Sequence, residues 1–193
     1  MNDKKDILGN FYRRILPLYP PRTEAVLQRT KPADLQHLTF RYIFTVNGMI
    51  EISHMIEEII TSTPGASESH VSFQYFSRLA PQMDRYKLVA RSSKGLWLYG
   101  VSDVSLPNLP NTIYVDTSGT PLENYWYVIA YGPGISATLL AEEITPAERL
   151  PGEPRMYEGF YTFEQDTAYQ VLSVLHQLYP QQVPSPAIPE LMN

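Results

Sequence analysis

The chain has 193 residues, 44% of them hydrophobic and 18% charged, which is enough apolar material for one packed domain and too much for a wholly disordered protein. A formal net charge of -5 gives it no overall attraction to nucleic acid or to anionic membranes. The lack of cysteine excludes disulfides, cysteine-ligated metal centres and thiolate catalysis. No signal peptide or membrane span is recognisable, so we expect a cytoplasmic protein.

Both ends of the chain are rich in proline. Residues 7–16 carry apolar side chains at helical spacing and then meet Pro17, which ends the predicted helix. We assign residues 1–40 to a helical arm with a proline-containing linker, whose apolar side should pack on the body or on a second copy of the chain. Four prolines within residues 180–193 predict an exposed, flexible tail.

The body, residues 41–179, begins with two predicted helices separated by a short strand at 71–75. The first helix has an apolar stripe from Met49 to Ile60 at i, i+3, i+4 and i+7 spacing, with Asn47 as its expected N-cap. The second is expected over residues 78–91, where Pro81 is tolerated only in the first turn.

The second half of the body predicts mainly strands, followed by one helix. A turn at residues 132–134 predicts an antiparallel hairpin, and Thr162 to Gln165 fits a capping box that opens the final helix. The expected fold is α/β (α+β), with a mixed β-sheet of about five strands flanked by helices and antiparallel hairpins in the C-terminal half. Strands are expected at 96–101, 112–115, 125–131, 135–142 and 157–163.

Five segments, taken in this order, resemble the DICT domain, a bacterial sensory domain named for its presence in diguanylate cyclases and two-component systems. The resemblance covers roughly Val46 to Leu178. Its segments are ISHMIEE at 52–58, SFQ at 72–74, PQMDRY at 81–86, LWLYGVSD at 96–103 and YWYVIAYGPG at 125–134.

The resemblance implies a non-enzymatic sensory and signal-transduction module that binds a ligand or a partner protein, with a light-linked response as one suggested role. Relatives carry the domain beside an output module, for which this chain has no room, so we expect relay in trans to a signalling protein or output domain. A small ligand and a second copy of the chain are further expected partners. A structural or adaptor subunit is the alternative, and an enzyme acting on a small substrate is a third.

The sequence predicts neither a catalytic site nor a metal site. None of the four histidines has metal-ligand spacing to another, and no phosphate-binding loop is present. Ser53 and His54 point about 100° apart on a helix and cannot act as a nucleophile and base pair. The acidic pairs at 57–58 and 142–143 are expected to be solvated. No cofactor is expected, including a covalently bound chromophore.

Binding residues are expected on two helical surfaces. His54 has Glu57 and Glu58 one turn away, which would raise its pKa and make it responsive to pH; an ordinary surface ion pair is the alternative. On the second helix Arg78, Arg85 and Arg91 belong to a basic cluster that could dock an anionic ligand or acidic partner. A solvated helix face that pairs with glutamates elsewhere is the alternative. Reversal of Arg85 and Arg91 to glutamate is expected to leave the fold intact, because exposed ion pairs contribute little.

Two tryptophans within strands complete the prediction. Core packing is the ordinary interpretation of Trp97 and Trp126, and the floor of an aromatic pocket is the alternative. The predicted ligand- or partner-binding residues are His54, Glu57, Gln74, Arg78, Arg85, Arg91, Trp97, Asp103 and Trp126.

Overall fold

The computed structural model describes residues 6–19, 40–144 and 154–189, and within them seven strands form one sheet. None of the helices in these ranges is long and apolar enough to cross a membrane. The strands are β1 (Phe40–Thr45), β2 (Glu68–Tyr75), β3 (Gly95–Val101), β4 (Thr112–Asp116), β5 (Tyr125–Gly132), β6 (Ile135–Glu143) and β7 (Met156–Thr162). The α-helices are α1 (Ile7–Ile15), α2 (Val46–Ser62), α3 (Met83–Ser92) and α4 (Gln165–Leu178), and short 3-10 helices occupy Leu16–Leu18, Phe76–Gln82 and Pro121–Asn124.

The sheet is mixed, as the sequence predicts. Its strand order is β1-β7-β6-β5-β2-β3-β4, with parallel pairing between β2, β3 and β4 and antiparallel pairing elsewhere. The expected hairpin joins β5 to β6, and its turn places Gly134 at a φ of +70°, which glycine adopts without steric strain. The expectation of about five strands is close to the seven in the described ranges, and β1 is the strand without a sequence prediction. Its partner β7 lies more than a hundred residues later, so no local signal marks the pairing.

Helices cover both faces of this sheet. The α2 and α3 helices pack on one face, and α1 and α4 pack on the other. Strand β5 shows how one strand serves both layers: Val128 and Ala130 belong to the first core, whereas Tyr127, Ile129 and Tyr131 belong to the second. The central strands are therefore buried on both sides, and the domain is a three-layer α/β/α structure.

Two helix starts differ from the prediction. Thr45, rather than Asn47, caps α2, because its hydroxyl accepts the Gly48 backbone N–H at 3.2 Å. The capping box expected at α4 is absent: Glu164 is the N-cap residue and makes no side-chain capping bond. Thr162 instead accepts the Glu164 backbone N–H at 3.2 Å, which fixes the turn just before the helix.

The helix expected over residues 78–91 is two elements rather than one. Residues Phe76–Gln82 form a 3-10 helix that contains Pro81, and α3 begins only at Met83. Proline lacks a backbone N–H and clashes with the preceding helical turn, so a continuous α-helix cannot run through it. Arg78 therefore lies on a different element from Arg85 and Arg91.

The described part of the N-terminal arm, residues 6–19, packs on the body, one of the two expected outcomes. The predicted linker at residues 20–39 lies outside the described residues. The side chain of Leu8 is fully buried, and the Tyr12 hydroxyl donates to the Glu158 carbonyl oxygen on β7 at 2.6 Å. The Tyr12 ring also meets Tyr125 edge-on, with centroids 5.9 Å apart. Helix α1 therefore closes the core beside α4.

The proline-rich C-terminal segment is expected to be exposed, and in its described part, residues 180–189, most residues are exposed. Val183 and Pro186 are nevertheless buried, and the segment contacts the body. Val183 is 1% exposed, Trp97 Nε1 donates to the Gln182 carbonyl oxygen at 2.8 Å, and the Tyr131 hydroxyl donates to the Ala187 carbonyl oxygen at 2.6 Å. Proline cannot donate a backbone hydrogen bond, but the carbonyl groups of an extended segment still accept from the body.

We predict that the arm contributes to stability through Leu8. Leu8→Ala should lower the free energy of unfolding by about 2 to 5 kcal/mol, because it leaves a cavity in a closed core. Leu18→Ala is the matched control: this leucine is 75% exposed, and its removal should change the free energy by less than about 0.5 kcal/mol. Urea denaturation measures both, and equal effects would contradict the docking of α1.

Candidate functional site

A cavity of about 230 Å³ lies between α2, the 3-10 helix Phe76–Gln82 and the face of the sheet that carries α2 and α3. Its walls are partly apolar, formed by Val46, Ile50, Val71, Phe73, Pro81 and Trp126. Its polar and charged lining comes from Ser53, His54, Glu57, Ser72, Arg78, Gln82, Tyr86 and Arg155. Apolar walls with a few converging polar groups are typical of small-molecule sites.

Glu57 is the most deeply buried charged residue of this lining, at 2% exposure. Its Oε1 accepts from the Tyr86 hydroxyl at 2.5 Å, and Oε2 lies 3.5 Å from Arg85 Nη1 without a hydrogen-bond partner in the described part of the chain. Burial raises the pKa of this carboxyl group to about 7, although Tyr86 and Arg85 act to lower it.

The expected solvated position of Glu57 is wrong. Helix α2 packs on the sheet and also against α3, so its buried surface is wider than the single apolar stripe of the sequence. Ser53, Glu57 and Ile60 lie on this second buried surface at i, i+4 and i+7. Tyr86 and Arg85 of α3 then meet the carboxylate.

His54 is half-buried and lines the cavity. Burial lowers its pKa, and the nearby positive charge of Arg85 lowers it further, while a hydrogen bond with Gln82 acts in the opposite direction. The prediction that Glu57 and Glu58 raise the pKa of His54 is therefore wrong, because the loss of solvent and the charge of Arg85 have the larger effect. A neutral imidazole is suited to hydrogen bonding rather than to binding an anion by charge.

A β-bulge in β2 positions Gln74 beside the cavity. The pairing of β2 with β3 shifts register between Ser72 and Gln74, and Gln74 has a φ of 61° in the left-handed region that non-glycine residues rarely adopt. Its buried amide oxygen accepts from Arg155 Nη2 at 2.6 Å, from the Tyr157 hydroxyl at 3.0 Å and from Arg78 Nη1.

The two arginines of the cavity have different electrostatic partners. Arg155 forms a two-point ion pair with Glu143, with Nε 2.8 Å from Oε1 and Nη2 in contact with Oε2. Arg78 donates to the Phe73 carbonyl oxygen at 3.4 Å and to Gln74, and no carboxylate among the described residues forms an ion pair with it. Burial and the charge of Arg155 lower the pKa of Arg78.

The two tryptophans lie on opposite faces of the sheet. Trp126 lines the cavity, donates from Nε1 to the Ser53 hydroxyl at 3.1 Å and meets the Tyr157 ring edge-on at 5.5 Å. Trp97 instead stacks on His70 with centroids 4.5 Å apart in the second core. The aromatic-pocket interpretation therefore fits Trp126, and the core interpretation fits Trp97.

The structure brings together six of the nine predicted binding residues. His54, Glu57, Arg78 and Trp126 line the cavity, while Gln74 and Arg85 contact its charged groups. The other three, Arg91, Trp97 and Asp103, do not line it. Arg91 is exposed in the last turn of α3, and Asp103 accepts the Ser77 backbone N–H at 2.9 Å, which fixes the start of the 3-10 helix.

Sequence reasoning missed the C-terminal contribution to the site. Arg155 follows a proline-rich loop, and nothing local marks it as a partner of Glu143. The antiparallel register, which pairs Glu143 with Tyr157, is what places Arg155 beside the end of β6. Across the described ranges, no three histidine or acidic side chains come together as a metal site.

A family model described as "Sensory domain in DIguanylate Cyclases and Two-component system" matches residues 25–144, more than half of the chain. The chain belongs to the DICT family. This match confirms the resemblance seen in the sequence. The chain therefore contains a sensory domain of the kind found in signalling proteins. The match ends before β7 and α4, so the DICT model includes Glu57, Gln74 and Arg78 but not Arg155.

Two other comparisons add little. Comparison with curated proteins finds no match. Among solved structures, NucT from Helicobacter pylori is similar over 76% of this chain and 99% of that chain, with 12% sequence identity and a TM-score of 0.44. A likeness this distant informs neither the fold nor the function.

We predict that Glu57 makes stability fall as the pH rises. Its pKa is about 7 in the folded protein against 4.5 for a solvated carboxyl group, so the folded state binds the proton more tightly between these values. Raising the pH from about 4.5 to 7 should therefore cost on the order of 3 kcal/mol of unfolding free energy. Glu57→Gln should remove this dependence.

The control for this measurement is Glu58→Gln, because Glu58 is exposed on the same helix. Urea denaturation at several pH values should give this variant the wild-type slope. A Glu57→Gln slope equal to that of wild type would contradict the burial of the Glu57 carboxylate.

Proposed function

We propose that this DICT domain is a non-enzymatic sensory module whose input is a small molecule bound in the cavity between α2 and the sheet. The observation that carries the proposal is the pairing, in one cavity, of a buried carboxylate oxygen without a hydrogen bond and an arginine without an ion-pair partner among the described residues. Folded proteins form hydrogen bonds with nearly all buried polar atoms, so Glu57 Oε2 without one favours a ligand in this cavity. Arg78 donates only to neutral acceptors, so its charge is available to that ligand.

We further propose that the signal leaves through the α2 and α3 helices, to a signalling protein or output domain in trans. Glu57 of α2 contacts both Tyr86 and Arg85 of α3, so a ligand that engages Glu57 changes the contacts between these helices. The outer side of α3 carries Leu88, which is 57% exposed, and Arg91. A light-linked response would act on this domain through the ligand rather than through a bound chromophore.

The adaptor alternative has weaker support. An adaptor needs a contiguous apolar surface, and the exposed large hydrophobic residues of the described ranges are spread over separate elements, among them Leu18 after α1, Leu88 on α3 and Ile113 on β4. A sensor needs a cavity with convergent polar groups, which this domain has. Membership of a sensory family also fits a non-enzyme better than a catalyst.

The test is native mass spectrometry of protein purified from its own host. Wild type should carry a small-molecule adduct that denaturation releases. Ile50→Trp adds an indole to the cavity wall and should abolish the adduct, whereas Glu51→Trp adds the same group at the next, exposed position and should retain it. An adduct of equal abundance on both variants would place the ligand elsewhere, and wild type without any adduct would contradict the proposal.

A further inference from the structure

The cavity has two clusters of polar side chains, one around Gln74 and one around Glu57, and their net charges differ. Around Gln74, Arg78 and Arg155 carry two positive charges and Glu143 carries one negative charge, which leaves one excess positive charge. Around α2, the negative charge of Glu57 is balanced by Arg85, whose Nη1 lies 3.5 Å from Oε2, so no excess charge is left there. Phe73 lies between the two groups: its carbonyl oxygen accepts from Arg78, and its ring packs edge-on against Tyr86, the partner of Glu57, at 4.8 Å.

We propose that the ligand is a small bifunctional molecule with an anionic group bound by Arg78, a flat apolar body beside Phe73 and Trp126, and an O–H or N–H donor bound by Glu57 Oε2. This inference rests on the proposed function, which places a ligand in this cavity, and it adds the chemical class of that ligand. A carboxylate and a phosphate share the anionic chemistry; a fatty acid lacks the donor, and a neutral aromatic lacks the anion.

The anionic group of the proposed ligand is inferred from the difference between Arg155, which has an ion-pair partner, and Arg78, which has none among the described residues. Glu143 occupies Arg155 at two points, so this guanidinium needs no further anion. Arg78 has only neutral acceptors, Gln74 and the Phe73 carbonyl, and it lies close enough to Arg155 to be affected by its charge. A partly buried guanidinium beside a like charge is stabilised by an anion, and its planar donors match the geometry of a carboxylate or phosphate.

The O–H or N–H donor of the proposed ligand is inferred from the different hydrogen bonding of the two Glu57 oxygens. Tyr86 satisfies Oε1, while Oε2 has no hydrogen bond among the described residues. Arg85 approaches Oε2 only to 3.5 Å, and its own side chain is 40% exposed, so it balances charge without saturating the acceptor. A ligand hydroxyl or N–H in the cavity would donate the hydrogen bond that Glu57 Oε2 lacks.

The experiment uses three acids of increasing length as probes: 4-hydroxybenzoate, 4-hydroxyphenylacetate and 3-(4-hydroxyphenyl)propionate. Each is compared with its methyl ester, which lacks the carboxylate, and with the acid that lacks the hydroxyl group. Binding is measured by isothermal titration calorimetry at pH 8, where Glu57, with a pKa of about 7, is ionised. At the best length, the acid should bind wild type at least about tenfold more tightly than its ester, and the hydroxyl group should add a similar factor.

Matched variants assign each factor to a residue. Arg78→Met should make acid and ester bind equally, whereas Arg91→Met, at an exposed position on α3, should keep the wild-type ratio. Glu57→Gln should remove the advantage of the hydroxyl group, and Glu58→Gln should keep it. Crossing a change in the protein with a change in the probe isolates the interaction between the two altered groups, as in a double-mutant cycle. The acid and ester comparison uses wild type alone, so it remains decisive if a variant fails to fold.

Two outcomes would overturn the inference. If acids and esters bind wild type equally and Ile50→Trp abolishes both, the cavity is a ligand site but its ligand is not anionic, and the proposed function survives. If no probe of any length binds wild type, this ligand class is wrong. The adduct of the host-purified protein then tells separately whether the cavity holds another kind of molecule.

Discussion

The amide of Gln74 is the contact on which the charged side of the cavity depends. Its oxygen accepts from Arg78, Arg155 and Tyr157, which belong to the 3-10 helix, the residues before β7, and β7 itself. The backbone reaches this position through a bulge and a φ of 61°, a conformation that costs about 1 to 3 kcal/mol for a non-glycine residue. Hydrogen bonds to charged donors offset that cost, so the strained strand and the two arginines stabilise each other.

The second constraint is the packing of α2 on two sides. A helix that meets only a sheet buries one stripe and leaves its glutamates in water, whereas α2 also meets α3 and buries Glu57 against Tyr86. Desolvation then raises the pKa of this carboxyl group, and Arg85 at the rim supplies the opposing charge. The same packing couples the cavity to α3, because the groups that balance Glu57 all come from that helix.

Periodicity in the sequence predicted most helices and strands but not which of them pack or pair with one another. The stripes of α2 and α4, the β5–β6 hairpin and the mixed sheet were predicted because spacing and turn residues are local properties. Strand β1, the buried Glu57 and the pair of Arg155 with Glu143 were not, because each depends on a partner distant in sequence or on a second packing surface. The DICT resemblance drew attention to Gln74, although its role as a shared acceptor follows only from the bulge.

The cavity joins parts of the chain inside and outside the matched DICT region. Glu57, Gln74 and Arg78 lie within residues 25–144, whereas Arg155 and Tyr157 come from the segment beyond it. Glu143 acts on Arg78 through its charge and accepts from Gln74 Nε2 at 3.1 Å in the same cluster. By occupying Glu143, Arg155 leaves Arg78 free of a carboxylate among the described residues. The excess positive charge at this end of the cavity therefore depends on a residue outside the matched DICT region.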